Sequence, residues 1–182
     1  MNLNIANQIT LLRIALIPVF MFFLLVDPIG SGEYIAVAIF IAAAITDAID
    51  GYLARKRDLV TNFGKFADPV ADKLLIAAAL VSLIDLGQIS AWPVIIILAR
   101  EFAITGLRVL AAAQGIVIAA SNLGKYKTNA QIFAIIFLVL GRATPAVPEL
   151  IGVILLWVAV ALTVISGADY MINSREVITD ED

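Results

Sequence analysis

Long apolar runs, separated by short polar clusters, organise this chain. Near-continuous apolar stretches occupy roughly residues 9–26, 34–53, 66–86, 92–114, 126–140 and 150–172. An α-helix needs about 20 such residues to cross a bilayer, and most of these stretches are close to that length. The interruptions carry turn chemistry: Asp27-Pro28-Ile29-Gly30-Ser31-Gly32, Gly87-Gln88-Ile89-Ser90 before Trp92-Pro93, Ser121-Asn122-Leu123-Gly124, and Gly141-Arg142-Ala143-Thr144-Pro145. The pattern predicts an all-α, polytopic membrane protein with six transmembrane helices. Residues 1–175 form one six-helix transmembrane domain in this reading, followed by an acidic tail, 176–182.

Composition agrees with the pattern. Of 182 residues, 62% are apolar and 15% charged, and the mean hydropathy is +1.02. A soluble domain carries about 45–50% apolar and about 25% charged residues. Twelve Lys and Arg stand against fifteen Asp and Glu, a net charge of −3, so no basic stripe exists for a nucleic-acid backbone. The chain has no Cys and no His, which removes disulfides, thiolate nucleophiles, imidazole bases and the usual zinc sites. Its chemistry must run on carboxylates, Lys, Arg and hydroxyls.

Positive residues between spans mark the cytoplasmic side. Arg55, Lys56, Arg57 and Lys65 lie between spans two and three, Lys125 and Lys127 at the start of span five, and Arg175 in the tail, whereas the alternate connections hold only Arg142. Both termini and the loop between spans two and three are therefore expected in the cytoplasm. A cleaved signal peptide is not expected, because Arg13 falls inside the first apolar run and no small-residue cleavage site follows. The closing acidic residues, Glu176, Asp180, Glu181 and Asp182, read as a solvated, frayed end.

Four carboxylates do not belong in such a setting. Asp47 and Asp50, near the cytoplasmic end of span two, are at i and i+3, on one helical face; Asp68 and Asp72, opening span three, are at i and i+4, again on one face. An acidic residue at the middle of a span costs about 2.5–3.5 kcal/mol on insertion scales, so each needs a partner. Arg55, Lys65 and Lys73 could supply counter-charges as membrane-surface ion pairs. The other reading is a cation site, since an all-oxygen, His-free cluster suits Mg²⁺ or Mn²⁺. Two such ions about 3.5–4 Å apart form the clamp used for in-line phosphoryl displacement. Gly51, Ala54 and Gly64 beside the carboxylates either let helices pack closely or leave an open floor for a phosphate-bearing group. Arg55 at the edge is either a phosphate clamp or a topology signal.

Span four is too charged for a passive helix. Glu101, Thr105 and Arg108 share one face, and Arg100 and Arg108 are roughly aligned. One carboxylate cannot neutralise two guanidinium groups, so even with an Arg–Glu101 ion pair a surplus positive charge faces the bundle interior. Lys125 and Lys127 add two ammonium groups on the cytoplasmic side, and the set of Arg100, Thr105, Arg108, Lys125 and Lys127 suits an anionic, phosphate-bearing acceptor better than a neutral alcohol.

The segment Asp47-Ala48-Ile49-Asp50-Gly51-Tyr52-Leu53-Ala54-Arg55, eight further residues, then Gly64-Lys65-Phe66-Ala67-Asp68-Pro69-Val70-Ala71-Asp72 resembles the signature of the CDP-alcohol phosphotransferases, DxxDGxxAR followed by GxxxDxxxD. The resemblance implies six membrane helices and transfer of a phosphoalcohol group from a CDP-linked donor, with release of CMP. It implies that Asp47, Asp50, Asp68 and Asp72 bind two divalent ions, that Asp72 also deprotonates the acceptor hydroxyl, and that Gly51, Ala54, Arg55 and Gly64 accommodate the CDP moiety.

Arg100-Glu101, Leu107-Arg108, Gly124-Lys125-Tyr126-Lys127-Thr128 and the opening Asn7-Gln8-Ile9-Thr10-Leu11-Leu12-Arg13 are similar to the phosphatidylglycerophosphate synthase branch of that family in bacteria. Ala6 stands where that branch usually has Pro. The branch implies CDP-diacylglycerol as donor, sn-glycerol 3-phosphate as acceptor, phosphatidylglycerol phosphate and CMP as products, and the bacterial inner (cytoplasmic) membrane with its active site toward the cytoplasm. It also suggests a homodimer, which the small residues Ala36, Ala38 and Ala42 to Ala44 permit. Rival readings are a relative making cardiolipin, phosphatidylserine or an inositol phospholipid, and, from other classes, a divalent-cation transporter or an aspartyl intramembrane protease. A transporter usually shows internal repeats and a midplane site, and a protease would leave two of the four Asp without a role.

Overall fold

The computed structural model describes residues 5–56, 62–113, 115–116 and 122–173, with side chains described over 7–46, 70–112, 115–116 and 123–172. These residues form six α-helices and no strand: α1 (Ile5–Leu25), α2 (Gly32–Lys56), α3 (Asn62–Asp85), α4 (Ala91–Ala113), α5 (Asn122–Ala143) and α6 (Glu149–Asn173). Every expected span is a helix. The helices outrun the apolar stretches at the polar end, α2 by three residues and α3 and α5 by four each at their starts, because hydropathy marks the depth of the bilayer while the hydrogen-bond ladder continues into the headgroup region. The acidic tail lies outside the described residues.

Two of the helices, α1 over Asn7–Leu25 and α6 over Glu149–Ile172, are long and apolar enough to cross a membrane, and α2 offers a shorter apolar segment, Gly32–Thr46. The others are less apolar for an identifiable reason. They carry the charged residues of interest: Asp72 and Lys73 on α3, Arg100, Glu101 and Arg108 on α4, Lys125 and Lys127 on α5.

α1 packs on α2 and α3, α5 lies along α6 and also touches α2 and α3, and α4 closes the bundle against α6 and α3. The core is aliphatic and small-residue rich: Leu24, Ala36, Ala43, Leu75, Ala79, Leu80, Leu83, Ile97, Ile135, Leu138 and Leu156 are all at most 2% exposed. Phe20 of α1 and Phe40 of α2 meet with ring centroids 5.8 Å apart. Of the small residues on α2, Ala36 and Ala43 are therefore spent on the protein's own core, while Ala38 and Ala42 stay exposed. Buried hydroxyls are satisfied within their own helices, Ser82 on the Ala78 carbonyl at 2.8 Å and Thr163 on the Ala159 carbonyl at 2.6 Å, as a medium without water requires.

α3 and α4 stop by the same device. Gly87, at φ 71°, donates to the Ile84 carbonyl while Gln88 donates to Leu83; Gly115, at φ 76°, donates to Ala112 while Ile116 donates to Ala111. This is the Schellman arrangement, in which a left-handed residue satisfies the last carbonyls and which favours glycine. At the rim formed by the start of α2, the α3–α4 turn, the end of α5 and the start of α6, polar side chains stitch neighbours together. Arg142 pairs with Glu33 at 3.2 Å, the Tyr34 hydroxyl donates to the Ala143 carbonyl, and the Gln88 amide reaches both the Leu138 carbonyl at 3.1 Å and Glu149 at 3.3 Å. Arg142, the basic residue that stood out among the alternate connections, is thus matched by a carboxylate.

Candidate active site

At the opposite end, α3, α4, α5 and α6 enclose a cavity of about 460 Å³. All five residues expected to hold an acceptor phosphate line it: Arg100, Thr105, Arg108, Lys125 and Lys127. Asp72 lines it too, together with Lys73, Glu101 and Tyr170. Five cationic side chains thus share this cavity with two carboxylates, a surplus of three positive charges.

The helical register explains the convergence. Arg100 and Glu101 lie two turns before Arg108 on α4, with Thr105 between them, and Lys125, Lys127 and Thr128 open α5 opposite. Glu101 is the hub: its Oε1 receives Lys127 Nζ and lies 3.5 Å from Arg100 Nη1. Lys127 is only 4% exposed, so this pairing is what makes its charge tolerable there. The Arg–Glu101 ion pair therefore exists, to Arg100, without absorbing the positive surplus. Lys125 is exposed and has no ion-pair partner among the described residues. Thr105 differs from the expectation in one respect. Its hydroxyl donates to the Glu101 carbonyl at 2.6 Å, so in this arrangement it offers the cavity lone pairs rather than a proton.

The guanidinium groups are held from α6. Arg100 Nη2 donates to Ser166 Oγ at 3.2 Å, and Arg108 Nε donates to the Tyr170 hydroxyl at 2.7 Å with its guanidinium carbon 5.2 Å from the ring centroid. Gly167 keeps this path open, since a Cβ built there would stand 3.1 Å from Arg100 Cγ.

The remaining sequence-derived residues fall on the adjoining ends of two helices in contact. Asp47, Asp50, Gly51, Ala54 and Arg55 are in the last turns of α2, and Gly64 and Asp68 in the first turns of α3. Their side chains lie outside the described residues, so of the four carboxylates Asp72 is the one whose side chain is described. Among the described residues no group of three or more potential ligands converges.

A family profile described as CDP-alcohol phosphatidyltransferase matches residues 3–165. The chain belongs to this family. Among its relatives, it is 48% identical to the CDP-diacylglycerol–glycerol-3-phosphate 3-phosphatidyltransferase of Bacillus subtilis, over 96% of this chain and 97% of that protein. It is 41% identical to the protein of the same name from Rickettsia bellii, over 92% and 93%, and 43% identical to a probable phosphatidylglycerophosphate synthase of Mycobacterium tuberculosis, over 92% and 80%.

The CDP-alcohol phosphatidyltransferase match contains the α3, α4 and α5 walls of the cavity and stops one residue short of Ser166. Ser166, Gly167 and Tyr170, which sequence reasoning missed, therefore lie beyond it. A signal for them did exist: Thr163, Ser166 and Tyr170 recur at i, i+3 and i+7 on the most apolar helix of this CDP-alcohol phosphatidyltransferase.

Proposed function

We propose that the protein transfers the phosphatidyl group of CDP-diacylglycerol to sn-glycerol 3-phosphate, giving phosphatidylglycerol phosphate and CMP. The observation that carries this reading is the cavity with three surplus positive charges and Asp72 on its wall. A phosphate monoester carries about −1.5 to −2 charge at neutral pH, and Arg and Lys bind it strongly. Serine or a phosphate-free polyol would leave the surplus uncompensated. The names of the relatives from Bacillus, Rickettsia and Mycobacterium point the same way.

The reaction places Arg100, Arg108 and Lys125 on the acceptor phosphate, with Lys127 held back by Glu101 as a structural cation. The acceptor's primary hydroxyl oxygen bonds to the phosphatidyl phosphorus, its proton passes to the Asp72 carboxylate, and the phosphorus–oxygen bond to CMP breaks with the electron pair leaving on CMP. Gly51, Ala54, Arg55 and Gly64 receive the CDP moiety.

An all-carboxylate donor set fits hard divalent cations. The helical registers agree, with Asp47 and Asp50 three apart on α2, Asp68 and Asp72 four apart on α3, and the two helices in contact. Those four Asp would hold Mg²⁺ or Mn²⁺, whose charge, when bound, polarises the diphosphate and offsets the charge developing on CMP. A free carboxyl of pKa about 3.9 is a weak base for an alcohol, so proton transfer to Asp72 depends on the alcohol being acidified, by that positive charge and by the forming bond to phosphorus.

The distribution of Lys and Arg orients the cavity and both termini toward the cytoplasm of a bacterial inner membrane. A homodimer built on the exposed Ala38 and Ala42 of α2 is compatible with the bundle.

The test is CMP release from CDP-diacylglycerol by detergent-purified protein, offered glycerol 3-phosphate, inositol phosphate, serine or phosphatidylglycerol, with and without EDTA. Release that requires glycerol 3-phosphate and a divalent ion is expected. Metal-dependent release with another acceptor would overturn the reading of Arg100, Arg108 and Lys125.

A further inference from the structure

A second, far smaller chamber of about 20 Å³ opens beside the main cavity and shares Asp72, Lys73, Glu101, Lys127 and Thr128 with it. Its additional polar wall is Gln131 of α5, one helical turn beyond Lys127. Gln131 is 2% exposed, and its Nε2 has no hydrogen-bond partner. A donor left unsatisfied in a low-dielectric interior is strongly unfavourable, so the group that meets it must come from outside the chain. The space admits one water-sized group and excludes a phosphate or a ring.

Within the phosphatidyl-transfer reading given above, we propose that this chamber is the subsite for the secondary hydroxyl of the glycerol phosphate acceptor, and that Gln131 sets acceptor specificity. The hydroxyl oxygen accepts from Gln131 Nε2. The hydroxyl in turn donates a hydrogen bond to Thr128 Oγ1, whose own hydrogen is already donated to the Gly124 carbonyl at 3.2 Å and whose lone pairs therefore face no competing demand from that bond. Asp72 borders both spaces, so the carbon next to this hydroxyl carries the primary hydroxyl to the carboxylate while the phosphate remains among the arginines. The subsite thereby selects which of the acceptor's two hydroxyls reacts, a task the cationic cavity alone cannot perform.

The experiment compares kcat/KM for sn-glycerol 3-phosphate with that for 3-hydroxypropyl phosphate, which keeps the phosphate and the primary hydroxyl and lacks the secondary one. A site built to hydrogen-bond a hydroxyl discriminates against the analogue without it, and the native protein should prefer glycerol 3-phosphate by about tenfold to a hundredfold. In Gln131→Met the preference should fall to within about threefold of unity. The ratio is independent of the fraction of folded protein. Thr128→Val should lower it in the same direction and carries the test if the Met variant does not accumulate. Equal use of both acceptors by the native protein would mean that the chamber holds only water, and a preference unchanged in both variants would remove Gln131 from the site; either result overturns the proposal while leaving the phosphatidyl-transfer reading intact. Turnover with neither acceptor would overturn both.

Discussion

Arg108 and Tyr170 are joined twice: Nε donates to the phenol oxygen at 2.7 Å, and the guanidinium carbon lies 5.2 Å from the ring centroid. Tyr170 is buried while Arg108 is exposed toward the cavity. With Nε occupied, the terminal nitrogens of Arg108 carry no hydrogen bond to the described residues. A pre-set guanidinium of this kind loses less freedom when it grips an anion.

Tyr170→Phe keeps the ring and removes the hydrogen bond. A typical hydrogen bond is worth about 0.5–1.5 kcal/mol, so KM for the acceptor should rise about two- to tenfold while KM for CDP-diacylglycerol stays put. Steady-state kinetics with each substrate varied in turn checks this, and equal changes in both constants would detach Tyr170 from acceptor binding.

Glu101 balances a buried ammonium and a half-buried guanidinium at once. Replacing it by Gln leaves Lys127, 4% exposed, without its carboxylate, and breaking such a buried pair destabilises by about 3–5 kcal/mol. Glu101→Gln should therefore lower the unfolding midpoint in detergent markedly, and the second change Lys127→Met should recover most of the loss. A double variant no more stable than Glu101→Gln alone would contradict the pairing as the source of the effect.

Asp72→Asn preserves shape and removes the proton acceptor. CMP release should fall by about 10²–10⁴-fold, the range of general base catalysis, with the unfolding midpoint little changed. Asp68→Asn should abolish turnover as well, and EDTA should do so reversibly, with Mg²⁺ or Mn²⁺ restoring activity.

Two helical glycines should respond in opposite directions to alanine. A Cβ at Gly106 meets nothing within 4 Å, whereas one at Gly152 meets the Leu138 backbone nitrogen at 2.7 Å and its Cα at 3.0 Å. Gly106→Ala should be stabilising by about 0.5–1 kcal/mol through helix propensity, and Gly152→Ala destabilising by about 1–3 kcal/mol because α5 and α6 must move apart. Thermal unfolding of both variants in one detergent tests the close approach directly.

The helices were legible because breakers such as Asp27-Pro28 and Gly141 to Pro145 separate apolar runs of bilayer length, and the Lys and Arg of the cavity because charge in a span is conspicuous. The spacing on α4 marks Glu101 as a partner for arginine, but that it also binds Lys127 depends on how α4 and α5 face each other, which no local pattern encodes. Ser166 and Tyr170 escaped for a different reason. A serine and a tyrosine near the end of an apolar helix match ordinary helix packing or an interfacial aromatic belt, and only the packing of α6 against α4 brings them to the arginines. Gln131 is likewise one polar residue on a long helix until its burial and its unpaired nitrogen are known.

The stitches at the rim away from the cavity, Glu33 to Arg142, Tyr34 to Ala143 and Gln88 to Leu138 and Glu149, set the bundle up as forceps. At the cavity rim the helices are joined by Arg100 to Ser166, Lys127 to Glu101 and Arg108 to Tyr170, so the cations that meet an anionic substrate are the same groups that hold this end together. The far rim lies outside that cavity, so the handle end of the molecule is held by bonds that do not depend on what the cavity contains.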